Sequence, residues 1–118
     1  SGQLPIEGGK IAVTGLVGAD VVLADAQRAA ELCAINILAQ ASAALAGDLS
    51  RITRVIKLNG FVASAPGFVE QHLVINGASN LIAKVLGEAG KHARAAVGMA
   101  SLPLNAAVEI DAILEIKL

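Results

Sequence analysis

Val108-Glu109-Ile110-Asp111-Ala112-Ile113-Leu114-Glu115-Ile116-Lys117-Leu118 is the stretch on which the fold turns. Val108, Ile110, Ala112, Leu114, Ile116 and Leu118 occupy every second position, with Glu109, Asp111, Ile113, Glu115 and Lys117 between them. Successive side chains of a strand point to opposite sides, so a period of two predicts a strand with one face in the core. Just upstream, residues 93–101 set Val97 and Met99 against Arg94, Ala96 and Gly98 before Leu102-Pro103 closes the run, which predicts another strand. A local reading joins these two as a hairpin through residues 102–107.

Further back, residues 51–62 carry apolar side chains on both faces, as a central strand does. Arg51, Arg54 and Lys57 do not share one face there, so solvated edge charges are expected rather than a basic patch. Residues 10–17 form a β-branched run between Gly8-Gly9 and Gly18, the expected first strand. Two helices separate these strands. Residues 25–46 bring Ala26, Ala30, Cys33, Ile37 and Ala44 to one face, with Gly47 as a stop. After Ala65-Pro66-Gly67, residues 68–86 bring Val74, Ala78, Leu81 and Val85 into a stripe. His72, Asn76, Asn80 and Lys84 follow one another at i+4, expected as the solvent side. The order strand, helix, strand, helix, strand, strand predicts an α+β domain with two helices on one face of a mixed sheet. The second face of that sheet is then expected to meet another subunit.

Composition narrows the function classes. A chain of 118 residues makes one domain, and 55% hydrophobic against 16% charged residues excludes disorder. The net charge of −1 provides no field to draw a polyanion or an anionic membrane, so neither nucleic acid nor membrane is expected as partner. Mean hydropathy is high at +0.68, yet no run approaches the ~18–20 uncharged apolar residues of a membrane span. No basic-then-apolar leader opens the sequence, which predicts a cytoplasmic protein. With 2% aromatics, the apolar excess is expected at a subunit interface. Cys33 has no second thiol to pair with and is read as a small buried hydrophobe. His72 and His92 have no Cys or carboxylate at ligand spacing, and no metal is expected. No G-x-G-x-x-G, P-loop or G-x-S-x-G is present, so no cofactor and no nucleophilic serine are predicted.

Two polar residues stand out on the last strands. Arg94 opens a run of small and apolar residues, where a lone guanidinium can offer a planar fork to a carboxylate. Glu109 opens the alternating strand, and a carboxylate in a partly desolvated interface is suited to holding a water. A salt-bridged Arg and an ordinary exposed Glu are the plainer reading of the same residues.

The run from His92 to Ile113, His-Ala-Arg-Ala-Ala-Val-Gly-Met-Ala-Ser-Leu-Pro-Leu-Asn-Ala-Ala-Val-Glu-Ile-Asp-Ala-Ile, resembles the signature of the YjgF/RidA family. These are the reactive-intermediate (enamine/imine) deaminases, also called endoribonuclease L-PSP. Ser1-Gly2-Gln3-Leu4-Pro5 is similar to the family's Ser-Gly-Gln segment. Leu32-Cys33-Ala34, residues 57–62 and residues 74–79 resemble its longer, less characterised branch. The resemblance implies a chorismate-mutase-like α+β fold, built as a homotrimer with sheets facing a central barrel and ligand clefts between subunits. It implies that Arg94 holds the carboxylate of a 2-imino acid and that Glu109 positions the attacking water. Gly2 would line the pocket, and Asn76 matches a pocket Asn more loosely. It also sets another strand between those of Arg94 and Glu109, in place of the local hairpin. The family pattern departs at three positions: Ala96 stands where many deaminases have Cys, Ala95 where a hydroxyl is common, and His92 where Pro is usual. A single domain over residues 1–118, without the family's N-terminal lead-in strands, is the expected organisation.

The function expected on these grounds is hydrolytic deamination of small 2-imino acids to 2-keto acids and ammonia, without metal or cofactor. The alternative is a non-catalytic trimer that binds a small carboxylate metabolite or a partner protein. A ribonuclease or translation inhibitor comes third, against the charge and the sparse aromatics.

Overall fold

The computed structural model describes all of residues 1–118. In chain order the elements are β1 (Ile6–Glu7), β2 (Lys10–Ile11), α1 (Leu23–Ala44), β3 (Ile52–Ala63), α2 (Gln71–Leu86), β4 (Ala93–Met99) and β5 (Val108–Ile116). β3 is the centre of a three-stranded sheet of order β4-β3-β5, parallel to β4 and antiparallel to β5. The hairpin read locally between the last two strands is therefore replaced by β3 lying between them. The loop through residues 102–107 crosses over instead of turning back, and two of its residues, Leu104 and Asn105, take left-handed φ values of 58° and 59°.

α1 and α2 lie side by side over one face of the sheet. The core forms where the alanine-rich stripe of α1 and the aliphatic stripe of α2 meet the sheet: Ala26, Ala30, Cys33, Val74, Ile75 and Ala78 pack on Val55, Leu58, Val62, Val108 and Ile110. Small side chains along α1 and Gly77 on α2 let the two helix backbones approach closely, so a low-aromatic sequence can still close its interior. The expected α2 stripe shifts in one respect. Val85 is exposed, and Ile82 takes the next buried place, since Val74, Ala78 and Ile82 follow one another at i+4. Ala44 is likewise exposed, because α1 ends there and the chain turns Leu45 inward instead.

The expected first strand over residues 10–17 survives only as Lys10–Ile11, paired with β1 in a two-stranded ribbon. Beyond it the chain makes isolated bridges, Thr14 to Ala106 and Val17 to Ser64. The cause is local. Gly15 and Gly18 adopt φ of 109° and 95°, and the Asp20 side chain accepts a hydrogen bond from Leu16 N at 3.0 Å, which turns the run before a ladder can extend. Along the outer edge of β5 Gln3 pairs with Ile110 through two backbone hydrogen bonds of 2.8 and 3.0 Å, bringing the N-terminal segment against that strand.

Candidate functional site

Register decides which way each strand residue points. Leu58 of β3 is wholly buried under the helices and is flanked by Arg94 on β4 and Ala112 on β5, so Arg94 projects toward the helical layer. There α2 receives it. Nη1 of Arg94 donates to Asn76 Oδ1 at 2.8 Å and to Ser79 Oγ at 3.1 Å, and Nη2 donates to the His72 carbonyl at 3.2 Å. Asn76 and Ser79 are three apart on one helical face, which is why both reach the same guanidinium. Asn76, expected on the solvent side of α2, is instead half-buried against Arg94.

A guanidinium has five N–H donors, and this cradle occupies three of them. Nε–H and one Nη2–H are left without an acceptor in the chain, and all three acceptors are neutral. No carboxylate lies within 4.0 Å of the group, whereas Arg28, Arg54 and Lys91 all have one. Arg94 is thus a half-buried positive charge, held rigid and left without a counter-ion. That arrangement favours an anion, and the side fork of Nε and Nη2 suits a carboxylate.

Sequence reading did not place Ser79 or His92 at the site. His92 Nε2 lies 2.8 Å from Ser79 Oγ, and His92 Nδ1 lies 2.6 Å from the Gly90 carbonyl. The available signal was the i, i+2 spacing of His92 and Arg94, which turns both side chains to one side of an extended segment. A depression of about 360 Å³ opens beside them, lined by Ser79, Asn80, Gly90, Lys91, His92 and Arg94.

Glu109 is elsewhere. It pairs with Phe61 of β3, whose neighbours Gly60 and Val62 are buried beneath the helices, so Glu109 points to the opposite, open face of the sheet. Its carboxylate lies against Gly2: a Cβ built at Gly2 would stand only 3.1 Å from the Glu109 carboxyl carbon, so a glycine is what allows this approach. Gly2 and Glu109 are therefore brought together, as are Asn76 and Arg94, but the two pairs do not meet within one chain. Leu58 and Phe61 are three residues apart on β3, which with two strand spacings separates Arg94 and Glu109 by about 14 Å at Cα. On the open face Phe61, Val97, Met99 and Ile113 leave apolar surface, Val97 at 45% and Ile113 at 53% exposure.

Cys33 sits beneath Val108, its Sγ 3.7 Å from the Val108 carbonyl. Burial, and after it the negative charge of Glu109, push the thiol up from its ordinary 9.0 to about 12. This is the inert buried sulfur expected from the sequence. No group of three or more His, Cys, Asp or Glu side chains is arranged to hold a metal ion.

Comparison with known proteins joins this geometry to a family. Residues 1–116 match the family described as "YjgF/chorismate mutase-like, putative endoribonuclease". The chain belongs to the YjgF/RidA family. The chain is 52% identical over 118 residues to Protein TCP17 of Trypanosoma cruzi, covering 99% of this chain and 73% of that protein. It is 82% identical, with a TM-score of 0.98, to the crystal structure of the protein Atu1372 from Agrobacterium tumefaciens, described as of unknown function; the match covers 99% of this chain and 74% of that one. A "putative endoribonuclease" from Shewanella oneidensis is 33% identical with a TM-score of 0.94, over 98% of this chain and 76% of that one. Two helices over a mixed sheet are thus the YjgF fold, as the resemblance implied. No helix is long and apolar enough to cross a membrane.

Proposed function

We propose that this chain is a RidA-like deaminase that hydrolyses small 2-imino acids to 2-keto acids and ammonia, at clefts between the subunits of a homotrimer. The observation that carries it is the state of Arg94, a half-buried guanidinium clamped by neutral acceptors, lacking a counter-ion and keeping Nε–H and one Nη2–H free. Such a group binds a carboxylate and fixes the orientation of whatever is attached to it. An iminium carbon next to that carboxylate is already electrophilic, so positioning supplies most of what the reaction needs.

Glu109 is assigned to the water. Its carboxylate takes a proton as the water oxygen bonds to the imine carbon, and returns it to nitrogen as the C–N bond breaks. Iminium and water give ketone and ammonium, with both water hydrogens ending on nitrogen. Arg94 and Glu109 lie on opposite faces of one sheet, so one chain does not assemble both on one substrate. A second copy, meeting the open apolar face around Phe61, Val97 and Ile113, supplies the missing partner, with Gly2 and Asn76 supporting Glu109 and Arg94 respectively. No metal or cofactor enters this reading.

The same separation favours a second reading, a non-catalytic trimer that binds a carboxylate metabolite on Arg94 alone or docks a partner protein. The ribonuclease reading has least support, with a net charge of −1 and only two aromatic residues, Phe61 and Phe68, for base stacking. The deciding experiment generates 2-iminobutanoate with an amino-acid oxidase and follows keto-acid release. Acceleration by the wild-type chain that is lost in Arg94→Ala supports the deaminase. No acceleration by a folded protein that still binds a keto acid moves the function to ligand binding.

A further inference from the structure

The Ser79–His92 pair is unused by the reaction as written, and its hydrogen bonds can be oriented by elimination. The Gly90 carbonyl can only accept, so His92 Nδ1 carries a proton. In the neutral ring Nε2 is then the acceptor, and Ser79 Oγ must donate its only proton to it across 2.8 Å. The same oxygen accepts from Arg94 Nη1. Ser79 therefore has nothing to offer a ligand while His92 is neutral.

Protonation of the ring reverses the hydroxyl. Both ring nitrogens then donate, Ser79 Oγ accepts from Nε2 and from Arg94 together, and its own hydrogen is freed for another acceptor, on a side chain that lines the depression beside Arg94. A carboxylate on the Arg94 fork gains a third donor from this change, and its negative charge offsets the second positive charge placed beside the guanidinium. Resting on the carboxylate-binding reading above, we propose that Ser79 and His92 are part of the anion site: Ser79 donates to the bound carboxylate when His92 is protonated, so that carboxylate binding is coupled to proton uptake at His92. Here Ser79 is a ligand contact and His92 a positioning residue acting through it.

The charges around the ring leave Arg94 as the one without a partner. Lys91, next to His92 in sequence, pairs with Glu88 at 2.8 Å. Arg54 of β3, which lines the cleft on the other side of His92, pairs with Glu115 at 3.8 Å. From α2 the neighbours are the neutral Ser79 and Asn80. Proton uptake in this corner is therefore governed by what occupies Arg94.

The test uses 2-oxobutanoate, a keto acid with the carboxylate the site is built to take, and the full chain observed by NMR between about pH 5 and 8, the range over which histidine changes charge. His72 serves as internal reference, since its ring is exposed and only its backbone carbonyl touches Arg94. The expected result is that 2-oxobutanoate raises the titration midpoint of His92 and leaves that of His72 in place. Affinity should be about tenfold tighter at the acid end, the scale of one added hydrogen bond to a charged group. His92→Gln, which keeps a hydrogen-bonding group near the position of Nε2 but does not titrate, and Ser79→Ala each flatten that dependence. Binding that requires Arg94 but leaves the His92 midpoint unmoved, or a pH slope retained in both variants, overturns the coupling and leaves the carboxylate reading standing. Absence of binding across the whole range removes both.

Discussion

Arg94 illustrates how much a residue owes to the groups that hold it. A lysine in its place keeps the charge but not the planar fork, and its single ammonium cannot satisfy Asn76, Ser79 and the His72 carbonyl while also gripping a carboxylate from the side. Arg94→Lys is therefore expected to weaken 2-oxobutanoate binding about tenfold or more, read by calorimetry, with the melting temperature changed little. Cys33 makes the opposite kind of prediction. Its thiol is pushed up to about 12 in the fold, so between 9.0 and that value the unfolded chain loses a proton that the folded chain keeps. Stability is fully present below 9.0 and declines as pH rises toward 12, by at most about 1.4 kcal/mol per pH unit. Cys33→Ala should remove that part of the alkaline slope in chemical denaturation. In the native wild type the thiol should resist alkylation at neutral pH.

At the scale of elements, the α1–α2 contact governs where the cradle stands. Gly77 faces α1 so closely that a Cβ there would lie 3.2 Å from the Gln27 carbonyl carbon, and the Gln27 side chain donates to the Leu73 carbonyl at 3.0 Å. A side chain at Gly77 must push α2 away from α1, and Asn76 and Ser79 move with it. Gly77→Val is expected to cost about 1–3 kcal/mol in denaturant unfolding, the usual scale for overpacking. Because Asn76 adjoins Gly77, carboxylate affinity should fall as well, whereas an equally destabilising change at the far end of α1 should leave it intact. The polar stripe of α2 that looks solvent-directed in sequence is thus divided: Asn80 and Lys84 are exposed, while Asn76 is enlisted by β4.

For the whole molecule, the sheet is covered by helices on one face and bare on the other. Phe61, Val97, Met99 and Ile113 on the bare face, with β4 as an edge strand, form a surface that monomeric domains seldom leave to water. On the reading proposed above, Val97→Asp combined with Ile113→Asp is expected to give a monomer in light scattering where the wild type gives an oligomer, and to abolish imine hydrolysis, with helix content retained in circular dichroism. The opposite placement of Arg94 and Glu109 adds a sharper prediction. Inactive Arg94→Ala and Glu109→Ala chains, unfolded and refolded together in equal amounts, should recover about a quarter of wild-type activity if each site takes one residue from each of two copies. Recovery no greater than either parent would place both residues of a working site on the same chain.

Much of this architecture is legible in the sequence because periodicity is a local property. The alternation from Val108 to Ile116, the central strand over residues 51–62 and both helices follow from side chains that must choose a face, and each lies within a few residues of its expected bounds. The first strand was not legible, since Gly15, Gly18 and the Asp20 side chain outweigh a favourable β-branched run. At the site, Arg94 and Glu109 stand out from their neighbours in the sequence, yet those neighbours alone favour an ordinary surface Arg and Glu, and it is the resemblance to the YjgF/RidA segment that proposes a role for the pair. Ser79 and His92 do not stand out, because a hydroxyl on a helix and an imidazole 13 positions later acquire meaning only when α2 and β4 are set side by side. The sequence by itself determined both helices and the three strands of the main sheet and, apart from positions such as Ala44, Asn76 and Val85, which faces they bury. No local pattern put β3 between β4 and β5, an order that only the family resemblance implied, and only the tertiary structure decided that Arg94 would turn to the helices while Glu109 turns away. The physical reason is that strand order and register depend on pairings between residues dozens of positions apart, where no local pattern records the choice.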